Sequence, residues 1–135
     1  MSWSKSLIKL ATYEVEVLQK RLTEIVDRRA SAEARLQALE TEGAMEAAFS
    51  ADDAQAGFYR IGYLEGLKMR KAAAQTQIDL LLAEEQGARD ALAAAFESQK
   101  KYEQVAESAR VLEVKEQGRR ERAQLDELGL RRAAR

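Results

Sequence analysis

Three features of this 135-residue chain predict an all-α fold, with two long helices in an antiparallel coiled-coil hairpin and an overhanging C-terminal helix. Residues Ile8, Ala11, Val15, Leu18, Leu22, Ile25, Arg29, Ala32, Leu36 and Leu39 alternate at spacings of three and four, and only Arg29 is polar. Apolar residues held near a period of 3.5, short of the roughly 3.6 of a straight helix, wind that helix around a partner. A second run with the same spacing starts at Leu64. The chain contains no proline and is dominated by Ala, Leu, Glu, Arg, Lys and Gln, the strongest helix formers.

Composition narrows the function classes. Aromatic residues make up 6%, too few for a typical globular core, and 22 basic against 23 acidic residues leave a formal charge of -1. So balanced a charge calls for neither nucleic acid nor a membrane surface. The chain has no cysteine and no histidine, which removes thiolate chemistry, the commonest general base and the commonest transition-metal ligand. Its N-terminal residues lack the apolar core of a signal peptide, and no window approaches the length of a membrane span. The expectation is one cytoplasmic domain over residues 1–135, with no enzymatic activity, metal or cofactor.

Helix 1 is expected over about residues 4–49, with Ser4 or Ser6 accepting from its first free N–H groups. It spans roughly 65–70 Å at the usual rise per residue. Arg29, at a core position, fixes register or snorkels to water. Residues 50–57 form the expected turn, with Ser50 to Asp53 supplying an N-cap. Helix 2, over about residues 58–130, resumes the seam through Leu64, Leu67, Lys71, Ala74, Ile78, Leu81, Glu85, Ala88, Leu92, Ala95, Gln99 and Tyr102. Beyond Tyr102 the best seam shifts by one, through Val105, Ala109 and Leu112, and then becomes mostly charged. A turn centred near residue 53 sets Leu39 beside Lys68, Ile25 near Leu82 and Ile8 near Gln99. About 30 residues of helix 2 then have no intramolecular partner.

Charge is unevenly spread. Residues 1–22 carry four basic and two acidic side chains and residues 115–135 seven and four, so the end they share in a hairpin is basic. Residues 27–57 carry three basic and seven acidic side chains. Opposite polarity at the two ends suits two different partners, although scatter over solvated faces gives the same count. The arginines near the C-terminus, Arg119, Arg120, Arg122, Arg131, Arg132 and Arg135, are interrupted by acids and lack aromatic neighbours, which favours a protein partner over nucleic acid. Tyr59, Tyr63, Leu67 and Arg70 form one stripe on helix 2. It either packs across the turn on Phe49 or Met45 or binds a partner, since tyrosine and arginine are favoured at interface hot spots. Gly62 and Gly66 either flatten a helix face or loosen the tip. Gly57, Gly62 and Gly66 form neither a P-loop nor a dinucleotide fingerprint. Adjacent acids such as Asp52 and Asp53 or Glu84 and Glu85 point about 100° apart on a helix and suit structural roles.

The segment Arg119 to Arg132, with Leu125, Asp126 and Glu127 followed by Arg131 and Arg132, resembles the ending of flagellar FliJ proteins. So do the hairpin plan, the chain length, the overhang, and Tyr59, Tyr63 and Leu67 at the opening of helix 2. The resemblance implies a small cytoplasmic component of the flagellar type III export apparatus, peripherally associated with the membrane-bound machinery. It implies a monomeric stalk, similar in shape to the two-helix stalk of rotary ATP synthases, that enters the hexameric export ATPase (FliI-like) and promotes its assembly. It also implies contact with the export-gate membrane protein (FlhA-like) and with export chaperones. By position, Arg119, Arg120, Arg122, Leu125, Asp126, Glu127, Arg131 and Arg132 would face the ATPase, and Tyr59, Tyr63 and Leu67 the gate. The family's known member has aromatic residues where this chain places Glu42 and Glu46. The alternative from another class is a homodimeric scaffold that pairs through the helix 1 seam.

Overall fold

The computed structural model describes residues 2–49 and 54–134. Two helices account for them, α1 (Ser2–Phe49) and α2 (Ala54–Ala133), with no strand among the described residues. Both start earlier than the sequence pattern suggests. Ser4 and Ser6 therefore lie inside α1 and not at its cap, and Gly57 lies inside α2. The first half of the expected turn, with its N-cap at Ser50 to Asp53, lies outside the described residues, and residues 54–57 belong to α2. No described helix is long and apolar enough to cross a membrane. The helices divide into two compact units, Val17–Leu92 and Met1–Glu16 with Ala93–Arg135.

The unit Val17–Leu92 is an antiparallel helical hairpin. Every expected α1 seam position in it is buried or half-buried, from Leu18 to Leu39, with Ile25 fully enclosed at 0% exposure. Leu67, Ala74, Ile78, Leu81, Glu85 and Ala88 are buried on α2. Leu39, Leu67 and Ala74 form the core cluster, with Leu36 and Tyr63 packed against it. The helices come close at Gly43. A Cβ added there would lie 2.6 Å from Cδ2 of Leu67. A side chain here would force the buried Leu67 to shift, because the leucine occupies the space it would take.

That contact sets the register. Carried along both helices, Gly43 opposite Leu67 brings Leu36 level with Ala74, Ala32 with Ile78, Ile25 with Glu85 and Leu18 with Leu92. Seam residue then meets seam residue throughout, as knobs-into-holes packing requires. The register expected from a turn at residue 53 is three residues short. It would set Leu39 against Lys68, which is exposed. Within this seam the buried Glu85 is held by Arg29, whose Nε donates to its carboxylate at 2.9 Å, and by Arg89 at 3.6 Å. Arg29 also reaches Glu33 at 3.0 Å. Its pKa is pushed up, chiefly by the hydrogen bond to Glu85 and then by that to Glu33. Arg28 and Glu84 repeat the pairing at 3.2 Å on the exposed flank. Arg29 thus fixes register through a partner that is itself a seam residue.

In the unit formed by Met1–Glu16 and Ala93–Arg135, Ser4, Ala11 and Val15 are buried on α1 and Ala95 on α2. Gln99 Nε2 donates to Thr12 Oγ1 at 3.1 Å. The seam keeps its 3-4 spacing through Tyr102, Ala106 and Ala109, all half-buried, whereas Val105 is 44% and Leu112 67% exposed. The expected shift to Val105 and Leu112 does not occur. One heptad on from the Gln99–Thr12 contact, Ala106 stands level with Lys5, so α1 is ending and the larger Val105 would gain no cover by rotating inward. Beyond Ala109 only Glu116 and Gly118 are as much as half-buried, and the rest of the described helix is exposed.

Two substitutions test the packing. Ile25→Ala should cost about 2–5 kcal/mol, the usual range for emptying a buried aliphatic site. Gly43→Val should cost about 1–3 kcal/mol through overpacking against Leu67. Denaturant unfolding followed by circular dichroism measures both, and a neutral Gly43→Val would show that this close approach does not set the register.

Candidate partner-binding surfaces

The C-terminal part of α2 is a helix without a helical partner among the described residues, so local interactions must support it. Arginines lie three or four residues after acids. Arg110 bonds Glu107 at 2.7 Å, Arg119 and Arg120 bond Glu116 at 2.8 and 3.4 Å, and Arg131 bonds Glu127 at 3.2 Å. An acid N-terminal to a base is the helix-stabilising order. Glu107 and Glu116 are held below the ordinary carboxylate pKa, by the hydrogen bonds from Arg110 and Arg119 respectively. Arg122 Nε donates to the Gly118 carbonyl at 3.4 Å. These pairs are solvent-exposed and each contributes little to stability. Their consequence is that Arg119, Arg120, Arg122 and Arg131 stand along a helix that is already formed.

Every expected ATPase-facing residue, Arg119, Arg120, Arg122, Leu125, Asp126, Glu127, Arg131 and Arg132, is exposed. Arg135 lies outside the described residues. Sequence reasoning singled out Leu125 but not its apolar neighbours. Leu125, Leu128 and Leu130 are 66%, 55% and 72% exposed, and Val111 and Val114 precede them on the same helix. The overhang was expected from the sequence, but it was read there by its charge, and the leucines that share the exposed helix with the arginines were passed over.

In the hairpin of residues Val17–Leu92, the stripe of Tyr59, Tyr63 and Leu67 is divided. Leu67 is 3% exposed and packs under Gly43, so it is part of the core and presents no side-chain surface to a partner. Tyr63 is half-buried against that core, and the Arg70 guanidinium lies 5.6 Å from its ring centroid, within cation–π reach. Its hydroxyl is closed off from water without a well-formed hydrogen bond. Proximity to the Glu42 carboxylate, with burial second, raises its pKa above the ordinary 10.0, while Arg70 opposes the shift. Tyr59 stands outside, 79% exposed, edge-on to Phe58 at 6.4 Å between centroids. Met45 is 66% exposed. The Phe49 side chain lies outside the described residues. Tyr59, Phe58 and Ile61 thus make an accessible apolar patch, with Tyr63 as its half-buried edge. Glu42 and Glu46 are both exposed on α1.

This geometry is suited to binding. No group of three or more metal-ligating side chains occurs among the described residues. The depression along Ala34, Ala38, Glu42 and Met45 is an open face of α1, and shallow grooves between the helices run beside Ala32 and Ala73 and beside Leu18 and Gly87.

The chain matches the family described as "Flagellar FliJ protein" over residues 5–135. It is 52% identical over 132 residues to the flagellar FliJ protein of Caulobacter vibrioides (strain NA1000 / CB15N), covering 98% of this chain and 95% of that protein. The flagellar FliJ protein of the strain ATCC 19089 / CIP 103742 / CB 15 is similar to the same extent. No solved structure matches.

Two titrations test the electrostatics. Glu42→Gln should lower the pKa of Tyr63, followed by NMR of its ring carbons. An unchanged value would mean that burial alone raises it. Because Glu107 and Glu116 have depressed pKa values, their contribution is complete above the ordinary carboxylate range and is lost as pH falls through the folded values. Amide exchange in residues 107–122 should therefore accelerate only in acid below that range, beyond the intrinsic pH dependence of exchange.

Proposed function

Since the chain belongs to the flagellar FliJ family, we propose that it is a non-enzymatic component of the flagellar type III protein export apparatus. Its role is that of a stalk that binds the hexameric export ATPase, promotes ring assembly and links the ring to the export gate. The observation that carries the ATPase half is the end of α2. Past Ala109 the helix continues to Ala133 with exposed arginines and exposed Leu125, Leu128 and Leu130. A preformed helix with apolar anchors and charge-bearing flanks enters a cavity at low ordering cost. Arg119, Arg120, Arg122, Arg131 and Arg132 would meet acidic groups of the ring, with Asp126 and Glu127 reading basic ones. Leu125 would supply buried contact.

The gate half rests on the aromatic patch. Tyr59 is the exposed anchor, Tyr63 the half-buried edge, and Leu67 supports them from the core without touching the partner. Glu42 and Glu46 make the facing part of α1 acidic, so a gate segment that docks here would carry basic residues beside its apolar ones. Export chaperones are further partners in this reading, and the working location is the cytoplasm at the membrane-bound apparatus. The rival scaffold would pair chains through the α1 seam. Within each unit that seam is already buried against α2 of the same chain.

The test is the ATP hydrolysis rate and oligomeric state of the same organism's flagellar export ATPase, with and without this protein. Stimulation with hexamer formation is expected, and it should be lost on truncation after Leu112 while the remaining hairpin keeps its helicity. An active ATPase that the full chain does not stimulate would overturn the stalk reading.

A further inference from the structure

Helix α2 has a second uncharged face that its own chain leaves open. Within Val17–Leu92, the 3-4 alternation running from Tyr59 to Gly87 holds no charged residue, in a chain where 33% of residues are charged. Its large members, Tyr59, Met69 and Leu80, are 79%, 73% and 63% exposed. Between them stand Gly62, Gly66, Ala73, Thr76 and Ala83. The Thr76 hydroxyl is satisfied by the Ala72 carbonyl at 3.0 Å, which leaves its methyl group available to a neighbour. Gly62, Gly66 and Gly87 have nothing within 4 Å of where a Cβ would be, so nothing inside the chain requires glycine there. The first seam of α2 is spent on α1; this one has the same period and no occupant.

We propose that this face is a docking surface for a second copy of the chain, packed antiparallel, α2 against α2. Three observations select that occupant. Setting Met69 against Leu80 of the second copy brings Ala73 to Thr76, Gly66 to Ala83 and Gly62 to Gly87. From Gly62 to Gly87 Met69 meets Leu80 and small residues meet small, Tyr59 falls at the edge opposite Asp90, and a two-fold axis repeats every pair, as an isologous interface requires. Charge selects the orientation. Apart from the seam residues Lys71 and Glu85, residues 60–72 carry Arg60, Lys68 and Arg70 against Glu65, whereas residues 77–89 carry Asp79 and Glu84 against Arg89. Antiparallel packing lays the basic half on the acidic half, and in-register parallel packing lays like on like. Four heptads of contact between faces this rich in small residues bury on the order of 1,000 Å², where specific interfaces begin. The dimer is therefore weak and reversible. It is independent of the ATPase half of the stalk reading, which concerns the end of α2, and it meets the gate half only at Tyr59, at the edge of the face.

Sedimentation equilibrium of the full chain tests the proposal. The mass should rise from one chain of 15.1 kDa towards two as concentration increases. Met69→Glu combined with Leu80→Glu should weaken association by about tenfold or more while helicity stays the same, because both side chains are exposed. A single-chain mass throughout, or a dimer unaffected by the two glutamates, would overturn the interface. With no cysteine in the chain, oxidation of mixed Met69→Cys and Leu80→Cys chains reports orientation. A disulfide between the two variants is expected, and efficient linkage of Met69→Cys chains to one another would overturn the antiparallel arrangement.

Discussion

The packing of this protein depends on the fit of Leu67 over Gly43. With almost no aromatic bulk and many alanines, the seams have few large knobs, and stability comes from many modest burials in one register. Ile25, Leu39, Leu67, Ile78 and Leu81 are the large buried aliphatic residues of the hairpin. They enclose one another only when α2 is in the position the glycine allows. The Arg29–Glu85 pair belongs to the same constraint. A carboxylate at a seam position is costly to desolvate alone, and the guanidinium one turn away makes that position tenable.

Periodicity made the seams legible. All ten α1 positions from Ile8 to Leu39 are buried or half-buried, and so is nearly all of the α2 seam to Tyr102. Spacing along one helix does not state its alignment with another, which explains why the expected register was three residues off. It also says nothing about where a partner ends. Valine at residue 105 outranks alanine at 106 on hydrophobicity, yet the helix keeps its phase, because a local gain at the edge cannot rotate a helix fixed by four heptads of contacts.

The candidate surfaces were legible in part for the same reason. Arginines near the C-terminus announce themselves by charge, and they stand exposed. Leu67 shared a stripe with two tyrosines, and only its depth distinguishes it as core. Leu128 and Leu130 fall in the stretch that the sequence already left without a partner helix, and there the neighbouring arginines drew the reading to charge and away from apolar contact. The functional half of an amphipathic sequence is thus hard to separate from its structural half when both use leucine at the same intervals.

The ion pair within the seam bears on how the chain finds its structure. Coiled coils slip easily by a heptad, since the next apolar layer resembles the last. Here a slip of seven residues along α2 would carry Glu85 away from Arg29 and set Ile78 or Leu92 in its place, leaving an acid and a base apart in a poorly solvated groove. A misaligned pairing therefore forfeits the ion pair, and the two charges favour this alignment over its heptad-shifted neighbours.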